Sequence, residues 1–259
     1  MPSTPLSLRS IVAFTWLWLR FAGGFLFVAV MAVVWMLIAL LLLPWRALRI
    51  RFVNYYGKII GYSITRLAAV RPIIKNRERL DGSFPAIYVA NHTSALDGFL
   101  SIWLCPVGGC GVMKKEVYSF PFFGWLYRLS GHLAIDRAKG EQAIAALDET
   151  ARLVKRHRLG LWIMPEGTRS RDGRLLPFKP GFVHMAIATG LPVVPVVYHE
   201  VHKVWEKGTL LVEGRDVRIE VLPPIDTRDW KAETARAHAE EVYALFVAAL
   251  DEDQKPLPA

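Results

Sequence analysis

Cysteine is nearly absent. Cys105 and Cys110 are the only two in 259 residues, a pair that cannot found a disulfide framework and that fits no zinc-ligand spacing, so reduced thiols in a cytoplasmic compartment are expected. Ligand clusters are missing as well: none of the seven histidines lies in an H-E-x-x-H pattern, and His199-Glu200-Val201-His202 reads as a polar strand end, so no metal is expected. No G-x-S-x-G stretch occurs anywhere, which leaves the strained turn that presents a nucleophilic serine in α/β hydrolases without a candidate. Acid is scarce at one end only. Residues 1–80 hold eleven Lys and Arg against a single acid, Glu78, whereas residues 81–259 carry 21 bases and 22 acids. The formal charge of +9 therefore belongs to the N-terminal third, and the balanced remainder argues against nucleic acid as a partner.

Apolar residues are in excess. They make up 53% of the chain, above the roughly 45–50% of ordinary soluble domains, and the surplus sits near the N-terminus. Phe21 to Trp45 is a run of 25 residues without a charge; as a helix it extends about 37 Å against a hydrocarbon thickness of about 30 Å. A single span fits this run. Gly23-Gly24, with Arg20 and the apolar stretch Ile11–Leu19 before it, fits instead two shorter helices that dip in and return. A secretory leader is disfavoured, because the run exceeds the usual 7–15 residue core and no small-residue cleavage site follows Pro44. Arg46, Arg49, Arg51 and Lys58 outnumber the bases on the Arg9 side, so the positive-inside rule turns the C-terminal part toward the cytoplasm, at the inner membrane if the chain is bacterial. Membrane phospholipids with anionic headgroups would attract the same segment. Between residues 50 and 70, Phe52, Val53, Tyr56, Ile59, Ile60, Ile64 and Leu67 recur at helical spacing; an interfacial amphipathic helix and a helix packed on the core both satisfy the pattern.

Arg71-Pro72 stops that helix, and the charged residues from Lys75 to Asp81 read as a link. The chain divides into a membrane-associated helical segment with a basic juxtamembrane region, residues 1–80, and a cytoplasmic domain, residues 81–259. In the latter, short apolar runs alternate with helical patterns. Strands are expected at Ala86–Ala90, Gly111–Lys114, Leu133–Ile135, Leu161–Met164, Val193–Tyr198, Leu210–Glu213 and Val217–Leu222. Helices are expected at Ala95–Leu104, Phe120–Ser130, Glu141–His157, Pro180–Thr189 and Ala232–Leu250. This is an α/β pattern: a mixed sheet covered by helices and finishing in antiparallel strands, preceded by an N-terminal membrane-embedded helical segment. Pro192 and Pro195 suggest an edge strand or a bulge, and the tail Asp251–Ala259 reads as frayed.

The stretch Asn91-His92-Thr93-Ser94-Ala95-Leu96-Asp97 stands at the turn between the first of these strands and its helix, where open α/β sheets carry active sites. Five residues at about 100° each put His92 and Asp97 on different helical faces, so His92 must precede the helix. From the first turn, Asp97 can then reach back to one imidazole nitrogen and leave the other as a proton acceptor, the arrangement a general base needs. Ser94-x-x-Asp97 equally fits a capping box, in which Ser94 is the helix N-cap and the carboxylate satisfies helix amides.

These residues resemble the first block, N-H-x-S-x-x-D, of the 1-acyl-sn-glycerol-3-phosphate acyltransferase family of glycerolipid acyltransferases. The family's second block, G-x-x-F-I-D-R, is similar to Gly131-His132-Leu133-Ala134-Ile135-Asp136-Arg137, with Ala134 in place of the aromatic, which leaves pocket size and acyl preference open. Its third, E-G-T-R, stands as Glu166-Gly167-Thr168-Arg169, and its fourth, P-V-V-P-V, as Pro192-Val193-Val194-Pro195-Val196. The resemblance covers about residues 85 to 200. It implies transfer of a fatty acyl group from acyl-CoA or acyl-carrier protein, a co-substrate and not a cofactor, to a lysophospholipid hydroxyl, most typically position 2 of lysophosphatidic acid, giving phosphatidic acid. It also implies His92 and Asp97 as the general-base dyad, and Glu166 and Thr168 as positioning the acceptor with Gly167 allowing close backbone approach; an ion pair of Glu166 with Arg169 or Arg171 is the plainer alternative. A phosphomonoester acceptor needs cations, for which guanidinium geometry is best suited, hence Arg137 and Arg169. Backbone amides around Glu166-Gly167-Thr168, or those at a helix start, are candidate donors to the tetrahedral oxyanion. Glycerol 3-phosphate, a lyso-aminolipid or a glycolipid are alternative acceptors, and a hydrolase using His92 to activate water is the competing activity.

Overall fold

The computed structural model describes residues 8–119, 123–135, 141–206 and 212–257. Arg137, with Asp136, lies outside the described residues, as do residues 210 and 211 of the expected strand Leu210–Glu213; Val212 and Glu213 are not in a strand. Among the described residues, seven strands form one sheet in the order β1-β7-β6-β2-β5-β3-β4. They are β1 (Arg71–Lys75), β2 (Ile87–Ala90), β3 (Gly109–Lys114), β4 (Leu133–Ile135), β5 (Gly160–Ile163), β6 (Val193–Tyr198) and β7 (Asp216–Val221). All neighbours run parallel except β6 and β7, so the sheet is mixed. The C-terminal ends of β2, β5, β3 and β6 meet at one edge.

The central strands are continuous apolar runs because helices cover both faces. Ile87 and Val89 of β2, Leu161 of β5 and Val193 and Val197 of β6 face α6 (Glu141–His157), α7 (Gly181–Thr189) and α8 (Ala235–Ala249). The alternate residues Tyr88, Ala90, Val194, Val196 and Tyr198 face α4 (Leu96–Leu104) on the other side. This is the period-two alternation of a strand read on a sheet buried on both faces.

Two expectations are corrected and two open alternatives, the edge strand or bulge at the prolines and the single or broken N-terminal helix, are decided. The sheet begins before residue 81: Arg71–Lys75, read as a helix stop and the start of a link, is the edge strand β1, paired with β7 from Arg71 opposite Asp216 to Lys75 opposite Glu220. Its alternate exposure and its proline hid it, since a short edge strand needs neither an apolar run nor every amide. Second, Pro195 lies in the centre of the sheet between β2 and β7, not at an edge. The strand tolerates it because the β7 side bulges: Val193 pairs with Ile225 while Val196 already pairs with Val221, so four steps on one chain match three on the other, and the Pro195 carbonyl still accepts the Leu222 amide at 2.9 Å. Third, the described start of the tail packs on the domain: Gln254 is completely buried. Fourth, Gly23-Gly24 does not break the N-terminal helix.

That helix, α1 (Leu8–Leu41), is continuous, and its part from Ala22 to Leu41 is long and apolar enough to cross a membrane. Two glycines cost such a helix roughly 1 kcal/mol each, and Gly24 is where the Leu67 side chain of α2 (Arg46–Leu67) comes within 2.7 Å of the place a Cβ would take. The two helices thus run as an antiparallel hairpin, joined through Trp35, Ala39 and Val53 and backed by Leu126 and Leu129 of α5 (Phe123–Ser130). Ile50, Val53, Gly57, Ile60 and Gly61 of α2 are buried, so this helix packs on the domain, while Leu48, Tyr55, Ile59 and Tyr62 stay exposed. Most of the apolar stretch of α1 is likewise uncovered, with Leu26, Phe27, Val30, Val33, Leu37 and Leu41 exposed.

Candidate active site

β2 ends at Ala90, and Asn91 continues its pairing with β6 by side chain: Nδ2 donates to the Tyr198 carbonyl at 2.9 Å and Oδ1 accepts the Tyr198 amide at 2.8 Å. The backbone is thereby free to turn away, and His92 is the first residue off the sheet. Its main chain is held at both polar atoms by the loop after β5. The His92 amide donates to Glu166 Oε1 at 2.6 Å, and its carbonyl accepts the Ser170 amide at 3.0 Å.

The side chain meets Asp97 in the first turn of α4. His92 Nδ1 lies 3.1 Å from Asp97 Oδ2, with the imidazole 21% exposed and the carboxylate fully buried. The same Oδ2 accepts the amides of Thr93 at 2.5 Å and Ser94 at 2.7 Å. The N-cap of α4 is Ala95 and carries no side-chain cap; the carboxylate is instead fixed by the two loop amides before the helix at the position where it meets the ring. In the tautomer that places the ring proton on Nδ1, toward Asp97, Nε2 carries the lone pair. Ser94 is not presented for attack. Its buried hydroxyl donates to the Trp205 carbonyl at 2.8 Å and accepts the Leu96 amide at 3.2 Å.

Glu166 is held by the main chain on both sides. It is buried, and each carboxylate oxygen accepts a backbone amide, His92 at 2.6 Å on Oε1 and Leu176 at 3.1 Å on Oε2. The carboxylate thus joins the turn after β2 to residue 176; the loop is tied down through backbone amides. Burial pushes its pKa up to about 8, against the pull of the two amides, and the nearby Asp97 charge adds to the rise. Gly167 has φ of 71°, a left-handed conformation that glycine adopts without strain, which turns the chain sharply at the strand end. Thr168 is exposed and Arg169 half-buried, the latter adjoining Ser170, whose amide meets the His92 carbonyl. The amides proposed for an oxyanion are largely committed elsewhere: Gly167 donates to the Met164 carbonyl at 3.1 Å, and Thr93, Ser94 and Leu96 are held within the turn into α4. No group of three or more His, Cys, Asp or Glu able to hold a metal ion occurs among the described residues.

The structure therefore brings together His92, Asp97, Glu166, Gly167, Thr168 and Arg169 on two neighbouring strand ends. Sequence reasoning missed two groups, the Asn91 amide as a ladder extension and the Trp205 carbonyl as the Ser94 partner. Asn91 stood in plain view at the end of an apolar run, whereas Trp205, 111 positions from Ser94, gave no local signal.

Fold and site define an acyltransferase, and the acyltransferase family model matches residues 71–199. The 1-acyl-sn-glycerol-3-phosphate acyltransferase of Limnanthes douglasii is 42% identical over 233 residues, 90% of this chain and 82% of its own length. That of Cocos nucifera is 43% identical over 242 residues, 92% of this chain and 77% of its own. The Escherichia coli K12 enzyme of the same name is 36% identical over 171 residues, 65% and 69% of the two chains. The crystal structure of the 1-acyl-sn-glycerophosphate (LPA) acyltransferase PlsC of Thermotoga maritima superposes with a TM-score of 0.61, covering 86% of this chain and 97% of that one at 22% identity, which speaks for the fold. This chain belongs to the 1-acyl-sn-glycerol-3-phosphate acyltransferase family.

Proposed function

We infer that the chain transfers a fatty acyl group from a thioester donor, acyl-CoA or acyl-carrier protein, to the sn-2 hydroxyl of lysophosphatidic acid, giving phosphatidic acid. The names and extent of its relatives support the acceptor and the reaction. The single observation that carries the mechanism is the 3.1 Å contact between His92 Nδ1 and Asp97 Oδ2, which leaves Nε2 as the other nitrogen of a partly exposed ring whose partner is fully buried.

In this reading Nε2 takes the proton of the acceptor hydroxyl as its oxygen adds to the thioester carbonyl. The buried Asp97 carboxylate stabilises the imidazolium that forms. Collapse of the tetrahedral intermediate breaks the carbon–sulfur bond, and the departing thiolate receives the proton from the imidazolium, so histidine ends neutral and no acyl-enzyme forms. The acceptor phosphate is met by guanidinium groups, Arg169 adjoining Ser170 and Arg137 after β4. Thr168, exposed at the same strand end, lies on the acceptor side. The apolar α1 with the basic start of α2 holds the domain at the bilayer, its catalytic part on the cytoplasmic side.

His92→Ala, purified and supplied with lysophosphatidic acid and acyl-CoA or acyl-carrier protein, is expected to lose acyl transfer by a factor of about 100 or more while keeping its thermal unfolding midpoint and membrane attachment. Turnover near the parent rate would refute the base assignment. Release of free fatty acid at the parent rate without acceptor would point to hydrolysis in place of transfer.

A further inference from the structure

The segment from Asp251 to Lys255 follows α8, well beyond the residues matched by the family model. It folds back as a turn in which the Gln254 amide donates to the Asp251 carbonyl at 2.9 Å. Gln254 is wholly buried. Its Oε1 accepts the Glu200 amide at 2.8 Å, and its Nε2 lies 3.5 Å from the Tyr198 carbonyl, the oxygen that also accepts from Asn91. Its own carbonyl accepts the Leu175 amide at 2.8 Å, and the next carbonyl, that of Lys255, accepts Arg174 Nη1 at 2.7 Å.

One residue therefore links the end of β6 to the loop of residues 170–176. That loop supplies the Ser170 amide to the His92 carbonyl and the Leu176 amide to Glu166, whose other oxygen holds the His92 amide. Each link is a hydrogen bond between adjoining or directly bonded groups, and the series ends on the backbone of the proposed base. The tail also carries ion pairs, Arg218 with Asp251 at 2.5 Å and Lys203 with Asp253 at 2.6 Å, but their carboxylates are 40% and 46% exposed. Pairs of that kind contribute about 0–1 kcal/mol. A buried side-chain amide that supplies the acceptor of the Glu200 amide is the stronger fastening.

We propose that Gln254 is a positioning residue for acyl transfer, holding loop 170–176 where Glu166 and Ser170 fix the backbone of His92. The proposal rests on His92 being the base. Small displacements of a reacting group lower the chemical step more than binding, so the effect falls on turnover.

The test uses the full chain in detergent or vesicles with lysophosphatidic acid and acyl-CoA. Gln254→Met keeps the length and removes the side-chain hydrogen bonds. Per folded molecule, kcat is expected to fall about tenfold, with KM for both substrates within about twofold, and amide exchange at Leu175 and Leu176 to quicken. An unchanged kcat, or a loss that only tracks the amount of folded protein, overturns the proposal. Should this variant not fold, Arg174→Met, which cuts the bond to the Lys255 carbonyl, decides, with Asp172→Asn as the control for the charge it also removes beside Asp172: kcat lowered at least about twofold at constant KM, and not in the control, supports the role, and any other result overturns it. His92→Ala measured alongside separates the two readings. If it turns over freely, the base assignment falls and this proposal with it; if it is silent while Gln254→Met keeps the parent kcat, only the positioning role falls.

Discussion

Two buried carboxylates, one on a helix start and one on the loop after a strand, hold the same histidine by different atoms. Asp97 touches the ring, while Glu166 touches the main chain of the same residue. Asp97 sits on a helix start, where the two loop amides before the helix orient it. Glu166 sits between two loops that nothing else in their local sequence would bring into register. The contrast teaches that a reacting side chain is fixed in two separable ways: its charge state through the atoms of the ring, and its place through the backbone that carries the ring.

Breaking the first support should have the largest effect. Asp97→Asn keeps an oxygen for the loop amides but removes the charge that stabilises the imidazolium, so kcat is expected to fall about a hundredfold with a thermal midpoint close to the parent's. A kcat within threefold of the parent would make Asp97 a holder of those amides alone. Asn91→Ala tests the backbone side. It strips two hydrogen bonds from the buried Tyr198 main chain, and a cost of about 1–3 kcal/mol per unsatisfied group is expected in denaturant unfolding, with a smaller loss of turnover.

Glu166→Gln sharpens the comparison through pH. Because burial raises the Glu166 pKa to about 8, the folded chain keeps a proton that the unfolded chain releases above its ordinary value. This contribution is present at low pH and is lost as pH rises through about 8. Buried imidazoles run the other way: burial lowers the His132 pKa to about 4, and those of His199 and His202 are lowered too, so stability from them is lost as pH falls below the ordinary histidine value. The trends oppose each other in mildly acidic solution and leave Glu166 alone between about pH 6.5 and 8. There the parent's unfolding free energy should decline by on the order of 1 kcal/mol per pH unit, and Glu166→Gln should flatten the slope. An identical slope in the variant would show that Glu166 does not titrate in this range.

The parts of this protein legible in its sequence are those with local causes. The strands Leu133–Ile135 and Val193–Tyr198 and the helix Glu141–His157 stand where the apolar patterns put them, since each buries residues repeating at its own period. The meeting of His92 and Asp97 was legible because five residues across a strand-to-helix turn leave few geometries. Where partners are remote the signal fails. β1 is an exposed edge strand whose partner lies 145 positions away, the bulge that accommodates Pro195 needs Ile225, and Gln254 in a polar tail carries no pattern of its own. The two amides on the Glu166 carboxylate, those of His92 and Leu176, likewise come from segments that no local pattern links to it.

The sequence by itself determined the class of fold, the apolar N-terminal helix, the family and the histidine–aspartate pair, because each depends on periodicity or on spacing within a few residues. Only the tertiary structure decided what holds that histidine in place: the Asn91 extension of the ladder, the Glu166 bridge and the returning C-terminal tail. Those contacts join segments far apart in the chain, and hydrogen bonds between distant backbone atoms leave no trace in the order of side chains.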